Sequence, residues 1–425
     1  MSTATPHPQF AADLAEVRSG AARPAAPEYV PRRLGVVGAG MMGAGIAYAA
    51  AAHGIDVVLV DTTAERAADG RRYSEKVLGR RVDRGAVTRQ EAATILDRIR
   101  ASGDYAELSG CDGVIEAVFE DPTLKADVFG RIQTAAPDAF LASNTSTLPI
   151  SDLAAATADP ATFIGMHFFS PVDRMELLEI VVGAESSDHA TAKAFDLGAA
   201  LGKTPIVVND ARGFFTSRVI TKYLDEAMAM VAEGVGVERV ERAALAVGYP
   251  VGPLQLVDET SIALARTVRD ENRAAAGDAW TRYGSDDVLD RMVAEFSRPG
   301  RAARGGFYDY DDAGRRVGVW SGIAEHFGAD SSMADDDVRD RLLFSEAVDT
   351  LRCFAEGVLR SPAEANVGSV LGIGFPVAIG GTARLVSDHP GGVDGFLARA
   401  DELRSRYGDR FAVPAGSSEI VGEWS

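Results

Sequence analysis

The chain has 425 residues, of which 46% are hydrophobic and 25% charged, with a formal net charge of −19 and a pI near 4.8. This length and apolar content suffice for two or three folded domains. The acidity opposes nucleic-acid partners unless a local basic stripe offsets it. Cys111 and Cys353 are the only cysteines, too few for a disulfide framework or a zinc site, which points to a reducing, cytoplasmic setting and no metal centre.

Residues 1–31 are rich in Ala and Pro, lack the charged start and clean apolar core of a signal peptide, and read as a mobile tail. Residues 41–60 are apolar enough to mimic a membrane span. Gly43, Gly45, His53, Gly54 and Asp56 interrupt them, and no membrane partner is expected. The stretch reads better as a helix, a turn and a strand.

A short strand over 34–37 passes into glycines and a helix from Met41, and a second strand covers 56–60. This opens an α/β, Rossmann-type doubly wound sheet over 32–212. Further apolar runs at 113–119, 139–142 and 163–169 continue a mostly parallel sheet to about residue 210.

In GAGMMG, Gly38 permits a tight turn, Gly40 lets the backbone approach a pyrophosphate and Gly43 allows close helix packing. Ala39, Met41 and Met42 complete a loop whose N–H groups and helix dipole face the phosphates. Asp61 ends the next strand, where a carboxylate accepts from an adenosine ribose 2′-hydroxyl and repels a 2′-phosphate. Thr62 and Thr63 offer no compensating cation, so NAD is expected over NADP.

Residues 71–84, RRYSEKVLGRRVDR, place Arg72, Lys76, Arg80 and Arg84 at i+4 intervals on one helix stripe, which suits either an anionic ligand or a solvated face. His167 ends the strand FIGMHFF beside Ser170-Pro171. Glu179 lies among the apolar residues of MELLEIVV, where a buried carboxylate needs a partner. A reversal over 170–174 returns Glu179 to His167, where it can fix the imidazole tautomer and stabilise an imidazolium. The same spacing also accommodates an unrelated strand histidine and a surface glutamate.

From residue 213 the pattern becomes almost entirely helical, giving a first helical domain over 213–329, an acidic linker over 330–337 and a second helical domain over 338–425. Arg218, Glu226-Ala227, AEGV at 232–235 and GYPV at 248–251 recur as Arg341, Glu346-Ala347, AEGV at 355–358 and GFPV at 374–377. A duplicated all-α C-terminal region is expected.

The combination GVVGAGMMGAGIA, EAVFED, SNTSTLPIS, GMHFFSPVDRMELLEIV and DARGFFTSR resembles the L-3-hydroxyacyl-CoA dehydrogenase family, most of all the dehydrogenase half of multifunctional fatty-acid oxidation proteins. The resemblance runs from about Arg33 to Pro414. It implies NAD-dependent interconversion of (S)-3-hydroxyacyl-CoA and 3-ketoacyl-CoA in fatty-acid metabolism, without hydratase activity. By this resemblance His167 is the catalytic histidine, Glu179 its partner, and Ser146 the serine that hydrogen-bonds the substrate 3-oxygen. Glu120, Lys125, Ser143, Asn144 and Ser146 fall at cofactor positions, and Ser74 and Arg81 at positions contacting coenzyme A. Ser170 and Ser217 stand where many relatives have asparagine, each at a position facing nicotinamide or thioester. Ala302, near Arg301 and Arg304, replaces a frequent lysine. The competing expectations are a Rossmann oxidoreductase acting on a free hydroxy acid and a non-catalytic NAD-binding interaction protein. A monomer or homodimer is expected.

Overall fold

Short apolar runs build an eight-stranded sheet in the computed structural model, which describes residues 5–424. Its strands are β1 (Arg33–Val37), β2 (Asp56–Val60), β3 (Ile99–Ser102), β4 (Gly113–Glu116), β5 (Phe140–Ser143), β6 (Phe163–Phe168), β7 (Leu177–Val182) and β8 (Thr204–Asn209). They lie in the order β3-β2-β1-β4-β5-β6-β7-β8, parallel throughout except for the antiparallel pair β6 and β7. The strand order reverses direction between β1 and β4, and in doubly wound sheets the ligand crevice opens beyond the carboxyl ends at that switch.

The sheet is buried on both faces, and so its strands read as unbroken apolar runs. The helix Met41–Ala52, almost wholly Ala and Gly apart from Ile46 and Tyr48 beyond its first turn, lies close because it carries little side-chain bulk; Gly45 leaves room for Val172. The helix Ala64–Asp83 starts at an N-cap made by the Thr63 hydroxyl and nestles against Ala39 through Gly70. β3 and β8 were not singled out in the sequence. β4 stops at Glu116, short of the expected 119, and leaves Phe119 79% exposed on the turn beyond it.

The chain divides into two compact units: residues 11–217 with 356–373, and residues 218–355 with 374–424 and the described residues before 11. This corrects three boundaries. The described part of the supposed mobile tail is ordered: within the helix Phe10–Arg18, Val17 is buried and the buried Asp13 accepts from the Asn366 amide at 2.8 Å. Arg23 then grips both oxygens of Asp196, at 2.6 and 2.7 Å. The helix Pro362–Ile373, assigned from sequence to the second helical domain, instead covers the sheet edge at β7 and β8. Gly368 leaves space for Ile206 and Phe215, Gly372 for Leu177, and Glu364 accepts the edge-strand Val207 N–H at 2.6 Å. The acidic linker also ends early, because Asp335, Asp336 and Asp337 form the first turn of the helix Asp335–Ala355, where the helix dipole favours carboxylates.

Within the helical unit one core joins residues of both related segments, from Tyr223 to Val421. Arg218 pairs with Asp349 at 3.2 Å, and Arg341 pairs with Glu226. A single offset of 123 residues relates both arginines and both acids, so Asp349, rather than the Glu346 matched in sequence, is the counterpart of Glu226. Gly248 faces Pro376 while Gly374 faces Pro250. Such exchanged contacts are those of two equivalent units packed about a two-fold relation. This C-terminal region is helical as expected apart from one short antiparallel hairpin, Tyr308–Tyr310 with Arg316–Val319, whose first strand is anchored when buried Asp258 accepts the Phe307 and Tyr308 N–H groups at 2.8 and 3.0 Å. No helix among the described residues is long and apolar enough to cross a membrane.

Candidate active site

The glycine turn after β1 has the geometry its sequence predicts. Gly38 has φ +99, and a Cβ there would lie 2.5 Å from the Ala117 carbonyl oxygen; a Cβ on Gly43 would lie 1.8 Å from the Gly38 oxygen. Gly40 is different, with no atom within 4 Å of its virtual Cβ. Open space thus lies in front of Gly40, which caps the helix Met41–Ala52 without a side-chain hydrogen bond. The first-turn N–H groups of that helix remain available for phosphate oxygens. A pyrophosphate fits this cradle, and a methyl group at residue 40 would intrude upon it.

Asp61, at the end of β2, accepts the Ala39 N–H through Oδ2 at 2.8 Å, tying the carboxylate to the glycine turn. Its Oδ1 accepts from the Thr62 N–H, the Thr62 hydroxyl and Arg66 Nε, at 2.7, 3.1 and 2.9 Å. Partial burial opposes its ionisation, but these donors outweigh burial and hold its pKa below the ordinary aspartate value. Arg66, one helical turn past Thr62 and Thr63, is a cation near Asp61 that the two threonines alone do not reveal.

Beyond β4 and β5 a buried polar network fixes the other side of the crevice. Lys125, fully buried, donates to both oxygens of Glu116 at 2.8 and 3.0 Å and lies 3.2 Å from Glu120. Ser143 donates to Glu116 at 2.6 Å. Glu120 accepts the Thr145 hydroxyl at 2.5 Å and the Ser146 N–H at 2.9 Å, so it holds the backbone of the loop that presents Ser146. Burial works against the Glu120 carboxylate, yet Lys125 and these hydrogen bonds keep its pKa below the usual glutamate value. Asn144 accepts the Phe168 N–H at 2.9 Å, linking the end of β5 to the residue after His167. Glu116 was not singled out from sequence; its signal is an acid closing the apolar run GVIE, which requires a buried partner.

His167 and Glu179 are direct neighbours across β6 and β7. His167 Nδ1 lies 2.9 Å from Glu179 Oε2; the histidine is 7% exposed and the glutamate fully buried. Glu179 is held from its other side by the Phe215 and Thr216 N–H groups, at 2.9 and 3.2 Å from Oε1, and by the Thr216 hydroxyl, 2.6 Å from Oε2. Phe214 adopts the left-handed φ of +51, which turns the chain just before these donors. Three donors besides the imidazole thus hold one buried carboxylate and fix its orientation toward His167. Thr216 was also missed in the sequence, because its partner is a strand residue far along the chain.

The exposed Ser170 reaches the Met41 sulfur at 3.7 Å, and Ser217 is half-buried in the first turn of the helix Thr216–Ala232. The proposed coenzyme A contacts divide. Along the stripe Lys76 and Arg80 are exposed, with Arg72 and Arg84 beside them on the same face. Ser74 is fully buried with an unpartnered hydroxyl, and Arg81, two turns on, donates to the Tyr48 hydroxyl at 2.8 Å. Ser74 and Arg81 therefore share a helix face distinct from the exposed stripe of Arg72, Lys76 and Arg80. Arg301 and Arg304, near Ala302, are engaged by Glu259 and Asp312. No metal-binding cluster occurs among the described residues.

Fold and crevice are those of an NAD-dependent dehydrogenase. The NAD-binding domain of 3-hydroxyacyl-CoA dehydrogenase matches residues 33–211, and the C-terminal domain of the same family matches residues 213–310. The chain belongs to the 3-hydroxyacyl-CoA dehydrogenase family. It is similar to M. tuberculosis FadB2, with 35% identity and a TM-score of 0.63, over 67% of this chain and 100% of that one. It is likewise similar to (S)-3-hydroxybutyryl-CoA dehydrogenase PaaH1 from Ralstonia eutropha, at 34% identity and TM-score 0.63, over 67% and 100% of the two chains. The dehydrogenase part of multifunctional enzyme 1 from C. elegans shares the fold over 98% of this chain and 97% of its own, with 22% identity and TM-score 0.68.

Proposed function

We propose that the protein interconverts (S)-3-hydroxyacyl-CoA and 3-ketoacyl-CoA, with His167 as the acid–base group. The observation that carries this reading is the buried pair in which Glu179 occupies His167 Nδ1, leaving Nε2 as the proton-transfer atom. Bound NAD supplies the hydride acceptor, and the Gly38–Gly43 turn and Asp61 hold its phosphates and ribose. His167 Nε2 takes the hydroxyl proton as the C3–H bond breaks, and Glu179 stabilises the imidazolium so formed. In the reverse direction the same proton returns to the developing alkoxide. Ser146, on the loop pinned by Glu120, donates to the substrate 3-oxygen. The CoA ester is supported by the 34% identity to an (S)-3-hydroxybutyryl-CoA dehydrogenase and by the exposed basic stripe. A cytoplasmic setting belongs to the same proposal and is supported by the scarcity of cysteine.

The test is NADH oxidation by purified protein with acetoacetyl-CoA, beside free acetoacetate. Turnover restricted to the CoA ester is expected. Turnover with free acetoacetate alone would replace this reading by a free-acid dehydrogenase. Tight NADH binding without turnover on CoA esters of any chain length would refute catalysis of this type.

A further inference from the structure

The adenosine end of the crevice carries a charge arrangement that the strand-end aspartate alone does not describe. Arg66, in the first turn of the helix Ala64–Asp83, places Nε 2.9 Å from Asp61 Oδ1 while its own side chain stays 69% exposed; the Asp61 side chain is only 10% exposed. Asp61 Oδ1 already accepts three donors, whereas Oδ2 accepts one, so Oδ2 keeps acceptor capacity for a ribose hydroxyl. The nearby acid Glu65 is occupied by its own backbone N–H and the Thr63 hydroxyl, which lower its pKa. Arg66 is thus a solvent-facing guanidinium bound to the carboxylate that separates NAD from NADP. A ribose 2′-phosphate would meet the Arg66 fork as well as the Asp61 charge, and an arginine in this region of a Rossmann unit is suited to accept it.

We propose that Arg66 is a specificity residue for the cofactor: it weakens the exclusion of 2′-phosphorylated dinucleotide by Asp61, and it becomes a 2′-phosphate anchor once the Asp61 charge is removed. The inference builds on the assignment of NAD to the glycine turn. The preference for NAD is therefore set by the Asp61–Arg66 pair rather than by the aspartate alone.

The experiment titrates NADH and NADPH by fluorescence against four proteins: the unaltered chain, Arg66→Gln, Asp61→Asn and the double variant. Asparagine retains an acceptor for the Ala39 N–H, and residue 66 is exposed, so the glycine turn is kept; thermal melts verify the fold. Unit charges about 4 Å apart in water interact by an amount equivalent to roughly a fivefold change in affinity, and a phosphate carries nearly two charges. Arg66→Gln is expected to raise the NADH-over-NADPH affinity ratio about tenfold. Asp61→Asn should improve NADPH binding about tenfold, and adding Arg66→Gln should abolish that gain. An unchanged ratio in Arg66→Gln, or equal NADPH affinity of Asp61→Asn with and without Arg66, would overturn the proposal. Failure of all four proteins to bind either dinucleotide would instead overturn the underlying assignment of the glycine turn, and the specificity proposal with it.

Discussion

Replacing Gly40 by alanine separates folding from cofactor binding. Gly40 has φ −68 and ψ −169, a conformation open to any residue, and its virtual Cβ meets no protein atom within 4 Å. The folded chain therefore admits the methyl group without a clash. Alanine is a somewhat poorer N-cap than glycine, a cost below about 1 kcal/mol, while its stiffer unfolded chain contributes about 0.4–1 kcal/mol in the other direction. The melting temperature should move by no more than about 2–4 °C. Bound phosphate, by contrast, must approach this backbone closely, and losing one hydrogen bond to a charged group costs about 1.5–3 kcal/mol. Gly40→Ala should thus weaken NADH about tenfold to hundredfold, measured by fluorescence titration beside calorimetry. Gly43→Ala is the contrasting variant, because its Cβ would lie 1.8 Å from the Gly38 oxygen and the turn itself must break. NADH affinity in Gly40→Ala within about threefold of the original protein, less than the loss of one such hydrogen bond, would refute the placement of the pyrophosphate at this cradle.

His167→Gln should keep NADH affinity and lower turnover by at least about a hundredfold, read by stopped-flow or steady-state NADH oxidation. Thr216→Val removes the 2.6 Å hydrogen bond to Glu179 with nearly the same volume; a loss of about 1–3 kcal/mol in stability is expected, with a reduced kcat, and Thr216→Ser should restore both. Unaltered melting and kcat in Thr216→Val would show that the carboxylate is oriented without it. Glu364 provides a pH test: burial pushes its pKa up to about 7, against partial relief from the Val207 N–H, Arg360 and Ser361. Its folded pKa exceeds the unfolded one, so its contribution to stability is complete below about pH 4.5 and is lost as pH rises through 7. Glu364→Gln keeps an acceptor for the edge strand and should be the more stable protein at pH 8, by about 2–3 kcal/mol, in urea melts across pH 5 to 8. Parallel stability curves for the two proteins would remove that account.

The spacing of Glu179 and His167 left their approach open until the pairing of β6 with β7 brought them together, whereas the strand–glycine turn–helix–strand opening and the place of Asp61 were legible in the chain alone. Each of the latter two is written in a short stretch whose spacing or apolar pattern admits few backbone paths. The reciprocal helical segments were also visible as repeats, but residue similarity aligned Glu226 with Glu346, whereas the exchanged ion pairs select Asp349. Packing in three dimensions closes Arg66 on Asp61, sets Thr216 and Phe215 against Glu179 and turns Ser74 inward. It alone also placed the helix Pro362–Ile373 on the edge of the sheet and tied Asp13 to Asn366 near the other end of the chain. The reason is physical: hydrophobic period, turn chemistry and capping are local, while the partner of a buried charge or an exposed strand edge is chosen by whichever distant segment packs there.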